Sequence, residues 1–110
     1  MWMNVTKVKI DPARVDEFMA LIRNDKVTSA ACATGRTGGS FVLQSTEDPG
    51  EIVSITVWQD AESGMAFFSD AAYAELGQQM RPYLTAPPER ASYEVKAMRQ
   101  AYAGEALTYP

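Results

Sequence analysis

Along residues 2–10 the chain alternates. Trp2, Asn4, Thr6, Val8 and Ile10 fall to one side of an extended backbone, and Met3, Val5, Lys7 and Lys9 to the other, the period-two signature of a strand. Asp11-Pro12 then marks a helix start, with Asp11 as the cap and Pro12 at the first helical position. Val15, Phe18, Met19 and Ile22 recur at helical spacing and make one apolar stripe, with Arg14, Asp16, Glu17 and Arg23 largely off it. The helical pattern weakens through residues 24–33 and stops by Gly35.

Gly38-Gly39 opens a second strand over residues 40–45, and Asp48-Pro49-Gly50 is a turn. Residues 51–58 are rich in β-branched and aromatic side chains (Ile52, Val53, Ile55, Thr56, Val57, Trp58) and form the clearest strand, pairing with the second as an antiparallel hairpin. A short helix over 60–68 ends near Ser69-Asp70. Tyr73, Leu76 and Met80 then define a second amphipathic helix to about Leu84, kinked or ended by Pro82. Pro87-Pro88 forces extended backbone, and residues 90–98 read as the last strand, with Ala91, Tyr93, Val95 and Ala97 on one face. The order β-α-β-β-α-β predicts an α+β fold of the ferredoxin-like type, a four-stranded antiparallel sheet with helices on one face. One domain spans 1–98, and a C-terminal tail, 99–110, without clear period is free to contact a partner subunit.

The strands also speak to assembly. In the third, Val53, Ile55 and Val57 make a wholly apolar face, while Ile52, Ser54, Thr56 and Trp58 make a mixed one. In the second, Phe41 and Leu43 oppose Val42 and Gln44. A sheet with helices on one face and water on the other shows one polar face; here neither is. The uncovered face is expected to meet a second sheet, and burial at ~25 cal/mol per Å² drives that association. A homodimer is the simplest solution.

Composition narrows the chemistry. The 110 residues are 46% apolar and 22% charged, with net charge −4 and no histidine. A His-based triad, a His-ligated zinc and a proximal-His haem are therefore excluded. The single cysteine, Cys32, closes no internal disulfide and reads as a semi-buried small hydrophobe in a run of alanines. The charge balance offers no footprint for nucleic acid or an anionic membrane. No segment approaches ~18 apolar residues, and the N-terminus lacks the apolar core of a signal peptide. The expected location is cytoplasmic. Gly35-Arg36-Thr37-Gly38-Gly39 precedes a strand and lacks dinucleotide-loop spacing, so it is read as a connector.

The run Ile52–Trp58, then Phe67-Phe68-Ser69-Asp70, Tyr73, Arg81-Pro82-Tyr83-Leu84 and Tyr93-Glu94-Val95, resembles the antibiotic biosynthesis monooxygenase domain family. Val15-Asp16-Glu17-Phe18 after Asp11-Pro12 fits the first helix of that family, and the likeness covers about residues 3–98. It implies the dimeric α+β barrel fold. Some members oxygenate phenolic polycyclic substrates or quinols without metal or flavin, others degrade haem, and fold alone does not choose. In oxygenating members a strand Trp lines the site, which carries over to Trp58; the Asn four residues before it is replaced by Ser54. Asn4 and Trp58 also resemble haem-degrading members, but their iron-ligating histidine would fall near Leu76 and is absent.

The candidate binding residues are Trp58, Arg81, Asn4 and Ser54. Trp58 is either a core aromatic or a pocket wall whose indole donates to an oxygen. Asn4 is unfavourable in a strand by propensity, which fits an exposed strand end or an amide supplied to a pocket. Arg81 either complements a helix C-terminus or reaches the cavity to hold a phenolate. Tyr73 and Tyr83 read as core or interface aromatics. Trp58, Arg81 and Asn4 are expected around one cavity between sheet and helices. The function implied is a cofactor-independent monooxygenase acting on an aromatic phenol or quinol, with no metal; the alternative is a non-catalytic small-ligand-binding or structural homodimer. The base, a water, a carboxylate or a perturbed tyrosine, is not named by the sequence.

Overall fold

The computed structural model describes residues 1–97. β1 (Trp2–Lys9) leads through a 3-10 turn (Pro12–Arg14) into α1 (Val15–Arg23) and α2 (Lys26–Ala33). β2 (Gly39–Gln44) and β3 (Glu51–Trp58) form the hairpin, followed by α3 (Ala61–Phe68), α4 (Ala71–Met80), a second 3-10 turn (Arg81–Tyr83) and β4 (Glu89–Glu94). The strands lie in the order β2-β3-β1-β4, all antiparallel. This is the expected ferredoxin-like architecture.

Local chemistry sets the boundaries. Asp11, Asp25, Asp60 and Asp70 each accept a backbone N–H at the start of a helical segment, replacing a bond the first turn otherwise lacks. The stretch where periodicity weakens is a helix of its own: Asn24 ends α1 and Asp25 starts α2, so two short helices with different apolar faces replace one fading stripe. Pro82 stops α4 at Met80, four residues before the expected end, because its ring cannot continue the α-helical ladder. β4 starts at Glu89 and ends at Glu94, shorter than the expected 90–98; Met98 and the expected tail, 99–110, lie outside the described residues. At Gly50 the chain passes so close to β1 that a Cβ would collide with the carbonyl oxygen of Ile10, whose N–H donates to the Gly50 carbonyl at 2.8 Å.

The register fixes what each face carries. Trp2 stands opposite Trp58, Asn4 opposite Thr56, Thr6 opposite Ser54 and Val8 opposite Ile52. This is the face the helices cover, and its core is split. Ile10, Val15, Phe18 and Ile52 pack at one end, and Ala31, Trp58 and Phe67 at the other. Between them cross two transverse rows rich in polar side chains, Ser92–Asn4–Thr56–Ser40 and Arg90–Thr6–Ser54–Val42. The opposite face brings Val5, Ile55 and Phe41 into line, with Val53 and Leu43 beside them. Phe41, Leu43 and Tyr93 there are 45%, 46% and 56% exposed, so the apolar face the sequence predicts has no cover within the described chain.

Candidate functional site

The inner parts of the two rows, Asn4–Thr56–Ser40 and Thr6–Ser54–Val42, are the floor of a cavity of about 440 Å³ between sheet and helices. Asn4, Thr6, Ser40, Ser54 and Thr56 supply amide and hydroxyl groups from below. Phe18 and Ile22 of α1, with Leu76 and Met80 of α4, form one apolar wall, and Phe67, Phe68 and Tyr73 form another. Polar groups placed under apolar walls need partners or a ligand to offset their desolvation. Within the floor, the Thr6 hydroxyl donates to Asn4 Oδ1 at 3.2 Å, which leaves the Asn4 amide N–H groups as donors. Thr56 is buried and Ser54 half-buried.

One ionisable group enters from α2. Asp25 is 9% exposed and lines the cavity. Its Oδ1 accepts from the Val27 N–H at 2.8 Å and the Thr28 N–H at 3.3 Å. The cap thus engages a single carboxylate oxygen, fixing the side chain where it borders the cavity. Tyr73 lines the same cavity. Burial pushes its hydroxyl above the ordinary tyrosine value; the Arg90 guanidinium opposes that rise and the Asp25 carboxylate adds to it.

The candidate residues are thus separated. Asn4 and Ser54 lie together on the cavity floor. Trp58 is fully buried but does not line the cavity: Phe67 and Phe68 stand beside it, with ring centroids 4.9 and 5.8 Å away, and form the wall in its place. Its Nε1–H is buried without an acceptor among the described residues, which costs ~1–3 kcal/mol by itself. Arg81 is exposed in the 3-10 turn after α4 and lines neither this cavity nor its neighbour. Of the four expected binding residues, the structure brings Asn4 and Ser54 together at the cavity and sets Trp58 and Arg81 apart from it. The wall position belongs to the next aromatic layer, and the early stop at Pro82 puts Arg81 beyond the helix. Cys32 is exposed rather than semi-buried, at the cavity margin.

Asp25, Tyr73 and the Phe67-Phe68 pair are the site residues that sequence reasoning passed over. Asp25 was detectable as a cap, with a side-chain acceptor two and three residues before the Val27 and Thr28 N–H groups it binds. Phe67 and Phe68 had no such signal: adjacent positions on a helix face different directions, and only the sheet beneath shows that both reach the cavity wall.

A ferredoxin-like α+β domain with a polar-floored cavity between its layers is thus defined, and known proteins share its fold. Residues 1–79 match the model of the antibiotic biosynthesis monooxygenase family, to which the chain belongs. No curated protein matches the sequence. Among solved structures, a conserved protein from Methanosarcina mazei Go1 is similar at 21% identity and a TM-score of 0.75, with 86% of this chain and 92% of that one covered. An antibiotic biosynthesis monooxygenase is similar at 14% identity and a TM-score of 0.74, over 88% of this chain and 100% of the other. A Mycobacterium tuberculosis protein follows at 15% identity and 0.70, over 92% and 98%. At these identities the likeness is one of fold. Among the described residues no helix is long and apolar enough to cross a membrane.

Proposed function

We propose that the cavity binds an aromatic phenol or quinol and that the protein is a cofactor-independent monooxygenase acting on it as a homodimer. The observation that carries this reading is the neutral polar floor of Asn4, Thr6, Ser54 and Thr56 beneath aromatic and aliphatic walls. Such a site grips a flat apolar body and offers donors to its oxygens. The exposed apolar face around Ile55, Phe41 and Leu43 supports pairing of two sheets.

In this reading the substrate supplies the electrons. Asp25, through Oδ2, takes the phenolic proton, directly or by a water. The Asn4 amide and the Ser54 hydroxyl donate to the resulting oxyanion. The phenolate passes one electron to dioxygen, and the radical pair combines at a ring carbon to form a C–O bond. Cleavage of the O–O bond of that hydroperoxide leaves one oxygen as a new carbonyl. The other departs as water with the ring hydrogen and the phenolic proton. Phenol and dioxygen become quinone and water.

Oxygen uptake with a panel of hydroquinones and anthrones tests the proposal. Uptake is expected with at least one member and is expected to fall at least tenfold, about 1.4 kcal/mol in the barrier, in Asp25→Asn. The placement of Trp58 outside the cavity favours a second reading, a ligand-binding homodimer without turnover. Tight binding of the same compounds with no uptake above the buffer rate would establish that reading instead.

A further inference from the structure

We infer that a second pocket, behind Tyr73, is a subsite for a carboxylate, so that the preferred ligand is an aromatic acid whose ring lies in the main cavity. The inference rests on the aromatic-ligand reading above and specifies its substrate class. The pocket has a volume of about 300 Å³ and adjoins the main cavity through a partition that both share: Asn4, Phe68 and Tyr73. A ligand of two rings or more that fills the main cavity has this partition as its neighbour.

The two compartments differ in charge. The main cavity is bordered by one carboxylate, Asp25, and no cation. The second is bordered by one cation, Arg90, and no carboxylate, with the hydroxyls of Ser92 and Tyr73 beside it and that of Ser69 donating to the Met65 carbonyl at 2.8 Å. Arg90 sits on the edge strand opposite Thr6, on the helix-covered side, so its side chain leaves the sheet toward the pocket. The lining of this pocket holds no acidic partner for it, and Glu94 and Asp70 pair with Lys96 at 3.2 Å and with Arg36 at 3.8 Å. Among the described residues Arg90 has no ion pair. A guanidinium presents a planar fork of donors that matches a carboxylate in bidentate fashion, and in a chain of net charge −4 it gives an anion a local reason to bind here.

The test compares two air-stable probes, 2-naphthol and 6-hydroxy-2-naphthoic acid, by calorimetry on the full chain. The acid is expected to bind at least about tenfold more tightly than the naphthol, the scale of a charge-assisted hydrogen bond. Arg90→Gln is expected to abolish that ratio while leaving naphthol affinity within twofold, and Arg90→Lys to retain part of it. Lys26→Gln, the same charge change on an exposed residue outside both pockets, is expected to leave the ratio intact. Equal affinities in the wild type, or a ratio unchanged in Arg90→Gln, would overturn the subsite while naphthol binding still upheld the main cavity. Failure of both probes to bind would overturn both. Binding of the acid alone, lost in Arg90→Gln, would uphold the subsite and overturn the aromatic reading of the main cavity.

Discussion

Gly64 lies flat against the Trp2 ring: a Cβ at position 64 would overlap Cζ3 and Cε3 of Trp2 and reach Cδ1 of Trp58 at 3.0 Å. Trp2 and Trp58 face each other across the central strand pair, and α3 passes over both at the one residue without a side chain. The contact sets how close α3 comes to the sheet, and so where Phe67 and Phe68 stand.

Gly64→Ala is therefore expected to destabilise the protein by ~1–3 kcal/mol through overpacking, although alanine is favoured over glycine in a helix by about 1 kcal/mol. Urea unfolding followed by tryptophan fluorescence measures it. Unchanged or increased stability would show that Trp2 repacks without cost.

Trp58 is expected to behave as a core residue. Trp58→Ala should cost ~3–5 kcal/mol, the usual range for an aromatic deleted from a core. Trp58→Phe should cost less, because it also removes the unpartnered Nε1–H. Naphthol affinity should fall more in Phe68→Ala, which opens the cavity wall, than in Trp58→Phe. The reverse order would restore Trp58 as the residue that meets the ligand.

The sequence carried the sheet well and the site unevenly. The alternation in residues 2–10 and 51–58 assigned every side chain of β1 and β3 to the correct face, since a one-residue slip would invert them all. The polar floor follows directly: Asn4, Thr6, Ser54 and Thr56 share a face in the pattern and meet in the register. What the pattern does not show depends on distances between layers. Whether Trp58 reaches the cavity depends on where Phe67 and Phe68 stand, which Gly64 governs from the same helix, α3. Arg81 was displaced by where α4 stops; Asp25 was legible as a cap, but its short, weakly patterned helix gave no sign that it borders a cavity.

The outer face gives a prediction of its own. Ile55 stands between Val5 and Phe41 on the uncovered side of the sheet. A carboxylate at the centre of a sheet-to-sheet contact would be desolvated without a partner. Ile55→Asp is expected to shift a dimer to monomer in sedimentation equilibrium at micromolar concentration, with far-ultraviolet circular dichroism monitoring the fold. A wild-type monomer under the same conditions would overturn the dimer.

Tyr73 predicts how stability responds to alkali. Its hydroxyl titrates above the ordinary tyrosine value, first because burial penalises the phenolate, with Arg90 opposing and Asp25 reinforcing the rise. The folded state therefore holds this proton more tightly than the unfolded chain does. The resulting contribution to stability is complete below the unfolded value of about 10 and is lost as pH rises from there through the raised folded value. Tyr73→Phe removes the titration, so its stability should decline less steeply than the wild type above about pH 10. Arg90→Gln takes away the charge that favours the phenolate, so Tyr73 should ionise at still higher pH. The tyrosinate difference spectrum between the wild type and Tyr73→Phe reports this directly. A Tyr73 that ionises with the exposed tyrosines, or one unmoved by loss of Arg90, would mean that the partition between the two pockets is open to water and that the guanidinium does not face it.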